Sequence, residues 1–520
     1  MTIFHGRRPM ILASIAIFLS FIAQFAVAAD IDAATIETQS GGIALRSVSW
    51  DVDGITRDWA LREAAEIEGN ERFPDRTAFD LWVLERKQLL INERALATVE
   101  VDAVVGDPDE SGISQADLTF RVKDTWNVIA LPYPKYDTND GLILSIKARD
   151  YNFMGTLEPL RVDFRYELEP DPFKARDFAK GTVILEIESS TPFKAFDRDW
   201  EFEFDHYIGY TGDDGFEYEN TTGLALILPI EAFRKETELK VGIYHGLSLN
   251  EENDDAYKAT EGNRFDDYWY MSDSLEAYWT IPIRKVEGFG ELSYIPRGIL
   301  NYNYRPGGDI GVQRRGPTLE LGQKISMGQV DWIGNFRKGV DLSLDNANVY
   351  NFYDHDWERT ITVSAIGHKP LWSFAGVSSR FVAAWYMDAP EDEAGSYLRG
   401  VVDDSVMADF ATYLNVDFPL RVIRFTPSEW WGRKWRAFDF EQHWSPFMDF
   451  GLLSSDEMDT SFSAEDMLVT AGLAVITFPL SWRAFYLRIS LGFNLRQAFD
   501  EGRIPGGDGR ELFIGVGHEY

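Results

Sequence analysis

Residues 160–168 read LRVDFRYEL. Leu160, Val162, Phe164, Tyr166 and Leu168 fall on one face of an extended chain, and Arg161, Asp163, Arg165 and Glu167 on the other. One wholly apolar and one wholly charged face is the pattern of a strand with lipid on one side and water on the other. The pattern recurs. DWEFEFDHY at 199–207 sets Trp200, Phe202 and Phe204 against Glu201, Glu203 and Asp205, and TELKVGIYHG at 237–246 and RAFYLRISLGFN at 483–494 are further cases. A soluble sandwich turns its apolar faces inward and uses shorter strands. In lipid every backbone N–H and C=O must be paired, so the sheet must close on itself. Residues 126–520 are therefore expected to form an all-β, antiparallel transmembrane barrel. The alternating segments number 17 or 18 by pattern. Single-chain bacterial barrels are usually even-numbered, and about 16 strands are expected.

Composition agrees. The 520 residues include 16 Trp, 22 Tyr and 36 Phe, more than an acidic soluble protein needs and suited to aromatic girdles at two membrane interfaces. The net charge of −35 disfavours a nucleic-acid partner, because phosphate binding needs clustered Lys and Arg. Cysteine is absent, which excludes disulfides and thiolate metal sites. Turn-rich acidic stretches separate the strands, the longest being NEENDDAYKATEGNRFDD at 250–267, and they suit long extracellular loops.

Residues 1–28 read as a secretory signal peptide. Arg7 and Arg8 precede the apolar run Ile11 to Val27, and Ala26-Val27-Ala28 forms a small-x-small cleavage site. A signal anchor is the alternative, since 17 residues nearly span a bilayer. No later stretch approaches 18 consecutive apolar residues, and no cysteine follows the cleavage site to carry a lipid.

Residues 40–125 read as a small α+β domain. LRSVSWDV at 45–52 alternates as a strand, and TRDWALREAAEIEG at 56–69 reads as a short helix. In TAFDLWVLERKQLLIN at 77–92, Phe79, Trp82, Val83, Arg86, Leu89 and Leu90 recur at spacings of three and four, the stripe of an amphipathic helix. ATVEVDAVV and ADLTFRVKD follow as two half-buried strands. The order strand–helix–helix–strand–strand resembles a POTRA (polypeptide-transport-associated) domain, which implies binding of unfolded chains by strand addition.

Three further stretches carry a wider resemblance. VKDTWNVIALPYPKYDTNDGL at 122–142 looks like a passage from such a domain into a barrel, and ARDYNFMGT at 148–156 like an early-barrel Asn-x-x-Gly-Thr turn. Leu398-Arg399-Gly400-Val401 precedes DFATYLNVDFPL, and Phe447-Met448-Asp449-Phe450-Gly451 follows. Together these resemble the BamA/TamA-type superfamily of outer-membrane assembly and translocation barrels, the bacterial surface antigen family. The resemblance implies that Arg399 sits on a loop folded back into the lumen and pairs with the lumen-facing Asp449, with Gly400 supplying the sharp turn. Val401 stands where the family usually has an aromatic. Only one POTRA-like unit fits before the barrel, where the family commonly carries several. The aromatic end of ELFIGVGHEY, with Phe513 and Tyr520, resembles the C-terminal signal for barrel insertion.

No HExxH, GxSxG or phosphate-binding loop is present, so the protein is expected to be non-enzymatic and to need no cofactor or metal. EWWGRKWRAF at 429–438 mixes Trp430, Trp431 and Trp435 with Arg433, Lys434 and Arg436, the composition of an interface anchor with snorkelling cations. The expected location is the bacterial outer membrane, with the N-terminal domain in the periplasm. The expected partners are unfolded outer-membrane or secreted polypeptides, outer-membrane lipid, and periplasmic or lipoprotein accessories. A passive porin or surface antigen, and a dedicated secretion pore of the two-partner type, are the alternatives.

Overall fold

The computed structural model describes residues 42–517 except 94, 110–111, 138–140, 169–180, 213–214, 234, 251–268, 287, 308–309, 312–313, 388–391, 394–396, 402–405, 456–459, 464–465, 482–485, 504 and 506–508. The signal-peptide reading and Tyr520 lie outside the described residues.

Residues 43–124 build a four-stranded sheet with two helices. The strands are Ile43–Asp53, Arg72–Phe73, Leu96–Pro108 and Ser114–Asp124, and the helices are Asp58–Ala64 and Arg76–Asn92. Ile43–Asp53 runs parallel to Ser114–Asp124, whose other neighbour, Leu96–Pro108, is antiparallel and forms one edge. The helix Arg76–Asn92 starts where Asp75 accepts a 2.8 Å bond from the amide of Ala78, an N-cap that satisfies one orphan donor. Its buried stripe is Phe79, Val83, Arg86 and Leu90, spaced at three and four residues. Phe79 and Leu90 meet Leu118, Phe120 and Val122, alternate residues of one strand, in a single core. Arg86 is tolerated in that stripe because its guanidinium reaches the carbonyls of Ala65 and Glu66 and the Glu66 carboxylate.

The rest of the described chain closes into an antiparallel barrel. Among the described residues it holds twenty strand segments, two of which continue a neighbour across a break, leaving eighteen staves. That is the upper end of the pattern count and two more than the expected even number. One break is Phe418-Pro419, between Phe410–Asp417 and Leu420–Phe425; proline has no N–H to give the ladder there. The last stave, Arg510–Gly517, neighbours the first, Val128–Asp137, and makes the seam.

The two faces of LRVDFRYEL separate as the alternation requires. Phe164 is exposed on the outside while Asp163 is buried, paired with Arg149 and, at 3.6 Å, Lys147. Phe202, Ile243, Leu275, Leu300 and Leu321 continue the exposed apolar belt. Inside, Lys240 holds Glu201 and Glu203 at 2.6 and 2.7 Å, and Arg297 holds Glu320 and Asp345 at 2.6 and 2.9 Å. Apolar outside and charged inside is the inverse of a soluble fold and the arrangement of a barrel that spans lipid.

Among the described residues the domain is fastened to one end of the barrel at two places. The first is the turn Asn152-Phe153-Met154-Gly155-Thr156, between staves Gly141–Asp150 and Leu160–Leu168. The fully buried Asn152 donates to Thr56 Oγ1 at 2.6 Å, and the amide of Arg57 donates to Gly155 O at 2.9 Å. The second is the helix Arg76–Asn92. Asn92 donates to Asp331 at 3.2 Å, and Glu85 pairs with Lys285 at 2.8 Å. Burial pushes the Glu85 carboxyl up, but hydrogen bonds from Lys285 and Arg86 outweigh it and hold Glu85 below its ordinary range. Lys285→Glu sets like charges opposite Glu85 and Glu66 and is expected to cost about 1 kcal/mol of docking, since the pair is partly solvated. Hydrogen exchange of residues 76–92 is expected to rise while that of 114–124 stays unchanged; equal exchange in both proteins would show that this contact does not hold the domain.

Candidate functional site: a loop latched to the inner wall

Arg399 lies on the loop between staves Ala375–Met387 and Phe410–Asp417, at the end opposite the N-terminal domain. Its partner Asp449 is the tenth residue of the sixteen-residue stave Phe440–Ser455, so the loop folds back well inside the barrel. Along that stave Glu441, His443, Phe447, Asp449 and Leu453 are buried, whereas Trp444 and Met448 are exposed. The Phe-x-Asp-x-Gly residues therefore face the lumen.

Five hydrogen bonds hold the arginine. Its Nε and Nη2 donate to the two oxygens of Asp449 at 2.8 and 2.5 Å, and its backbone amide donates to Asp449 Oδ2 at 3.1 Å. Its Nη1 and Nη2 donate to the two oxygens of Asp417 at 2.7 and 3.2 Å. The guanidinium also covers the ring of Phe447, its central carbon 3.8 Å from the ring centre. Planarity and a five-donor fork suit arginine to this double clamp, and lysine lacks both. Asp449 is 0% exposed. Burial alone works against the arginine's charge, but hydrogen bonding to Asp449 and attraction to Asp417 outweigh it, and Arg399 is held charged well above its ordinary pKa.

The surroundings make room for the loop. Gly400 has φ +97°, and a Cβ there would lie 2.4 Å from the amide nitrogen of Phe493. On the wall, a Cβ at Gly451 would lie 2.8 Å from Leu398, one at Gly492 3.0 Å from the Arg399 carbonyl carbon, and one at Gly472 2.4 Å from the Phe447 ring. Leu398 and Val401 are buried in one cluster with Val382, Tyr413 and Leu453. Just before Leu398, Tyr397 stacks on Tyr413 at 4.9 Å, and Asn415 donates to the Tyr397 carbonyl at 2.8 Å.

Of the residues singled out in the sequence, the structure brings Leu398, Arg399, Gly400, Phe447 and Asp449 together. Phe513 stands apart, on the last stave, with the Arg488 guanidinium 6.0 Å from its ring centre. Two participants were missed. Asp417 is the second carboxylate of the clamp, and Glu511 accepts from the Gly400 amide at 2.8 Å. Alternation places Tyr413, Asn415 and Asp417 on one side of their strand, a signal for the face but not for the partner.

Fold and site define a closed membrane-type barrel with an inward-folded loop clamped to its wall. No protein-family model and no curated protein matches the chain. Among solved structures it is similar to CdiB from Acinetobacter baumannii, at 11% identity over 91% of this chain and 73% of that one, with a TM-score of 0.45. It is similar also to CdiB from Escherichia coli, at 11% identity over 94% and 93% and a TM-score of 0.38. BamA from Haemophilus ducreyi lacking POTRA domains 1–3 aligns at 13% identity over 91% and 84%, with a TM-score of 0.35.

Proposed function

We propose that the protein is a non-enzymatic outer-membrane barrel that mediates insertion or translocation of polypeptides, with the N-terminal domain as a POTRA-like receiver in the periplasm. The observation that carries the reading is the buried Arg399 clamp. A doubly paired buried charge holds the loop against the inner wall through a few specific bonds, which suits a conduit whose loop is released when a client arrives. The edge strand Leu96–Pro108 supports the receiving role, because an extended client segment adds to such an edge through backbone hydrogen bonds. No nucleotide or metal enters the scheme; client binding and strand pairing supply the driving force.

Depletion of the protein in its host, with the outer-membrane proteome quantified, tests the reading. A broad fall in barrel proteins is expected for an assembly role, and loss of one defined secreted client for a dedicated pore. An unchanged proteome with altered uptake of small solutes would overturn both in favour of a porin.

A further inference from the structure

The loop tip touches more of the barrel than its clamp. Arg399 binds the fourteenth and fifteenth staves through Asp417 and Asp449. The backbone of Arg399 and Gly400 lies against Gly492 and Phe493 of the seventeenth, Tyr486–Asn494. The Gly400 amide donates at 2.8 Å to Glu511 of the eighteenth, Arg510–Gly517, which closes the barrel against the first stave. Two consecutive loop residues thus span four of the five staves on one side of the seam.

We infer that Glu511 is a positioning residue which ties the loop tip to the last stave, so that the clamp at Arg399 also steadies the stave that forms one side of the seam. The inference rests on the proposed function only for its purpose; the brace itself is a property of the barrel without a client. A carboxylate suits the task. Gly400 has no side chain and exposes its amide on the outside of a sharp turn, and an anionic acceptor makes a stronger bond to an amide than a neutral one does. Gly492 leaves the loop backbone the space to reach it. Release of Arg399 by an incoming segment would withdraw Gly400 from Glu511 and leave the last stave held by its ladders alone.

Hydrogen exchange of the full chain in lipid nanodiscs, with no client present, tests this. Glu511→Ala and Arg399→Ala are each expected to raise exchange of residues 510–517 about tenfold, the loss of one charge-assisted bond, with the strand Thr318–Ile333 unchanged. Glu511→Gln keeps the size and an acceptor oxygen and is expected to give a smaller rise, so a poorly folding alanine variant does not decide the matter. Unchanged exchange at 510–517 in both Glu511 variants, or an equal rise at 318–333, would overturn the brace. Because no client enters the measurement, failure of the brace and failure of the transport reading are separate results.

Discussion

Arg399→Ala is expected to destabilise the barrel's loop sector by about 3–5 kcal/mol, the cost of leaving buried charges without their partner. Asp449 and Asp417 lose four of the five hydrogen bonds described above and keep their burial. Leu398 and Tyr397 are then held on Gly451 and Tyr413 only by apolar packing, ring stacking and the Asn415 bond. Limited proteolysis is the first readout, with new cleavage expected at residues 397–401. Arg399→Lys keeps the charge but reaches one carboxylate, and it is expected to protect the loop only in part. The sharper test is the pair. Arg399→Ala with Asp449→Asn removes one of the stranded charges and is expected to lose less than the sum of the single variants. Full additivity would show that the two residues do not act together. In the host, Arg399→Ala is expected to reproduce the depletion phenotype; a wild-type proteome with a loop that is demonstrably free would separate the clamp from transport.

How much of this was legible in the sequence follows from what alternation encodes. Period two assigns each residue to a face, and it separated Phe164 from Asp163 and placed Asp449 inside. It carries no information about which inward residues meet across a lumen. Asp417 and Glu511 were therefore invisible as clamp members, although each sits on an alternating strand. Arg399–Asp449 was readable only through a family resemblance, since a loop arginine in a chain of net charge −35 has many candidate partners. The stave count is ambiguous at two breaks, of which Pro419 is one: it interrupts a strand that pairs on both sides of the break with the same neighbours, so alternation alone reads as one strand or as two. The contacts that fasten the domain to the barrel were out of reach for the same reason as Asp417. Asn92 and Asp331 are far apart in sequence, and nothing local to either announces the other.

The Asn152–Thr156 turn is the second place where one substitution is expected to matter greatly. Gly155 has φ +78°, and a Cβ there would lie 2.2 Å from the carbonyl oxygen of Ile55. That atom belongs to backbone and has no rotamer through which to escape. Gly155→Ala is therefore expected to push the 55–57 segment away and to break the Arg57 amide bond to Gly155 O, at a cost of about 1–3 kcal/mol. The damage is expected to concentrate at the joint, which meets the domain's core through Leu157 and through the Leu61 amide bond to Arg57 O. Hydrogen exchange is expected to rise at residues 54–58 and 152–157 and to remain unchanged at 114–124. Asn152→Ala removes the same joint from its other side, taking the bonds to Thr56 and to the Leu157 amide. If the turn works as one unit, the double variant loses little more than either single one. Intact exchange protection at 54–58 in Gly155→Ala would mean that the turn shifts to accommodate the added carbon and keeps its bonds to Thr56 and Arg57, and that the joint does not depend on a glycine at this position.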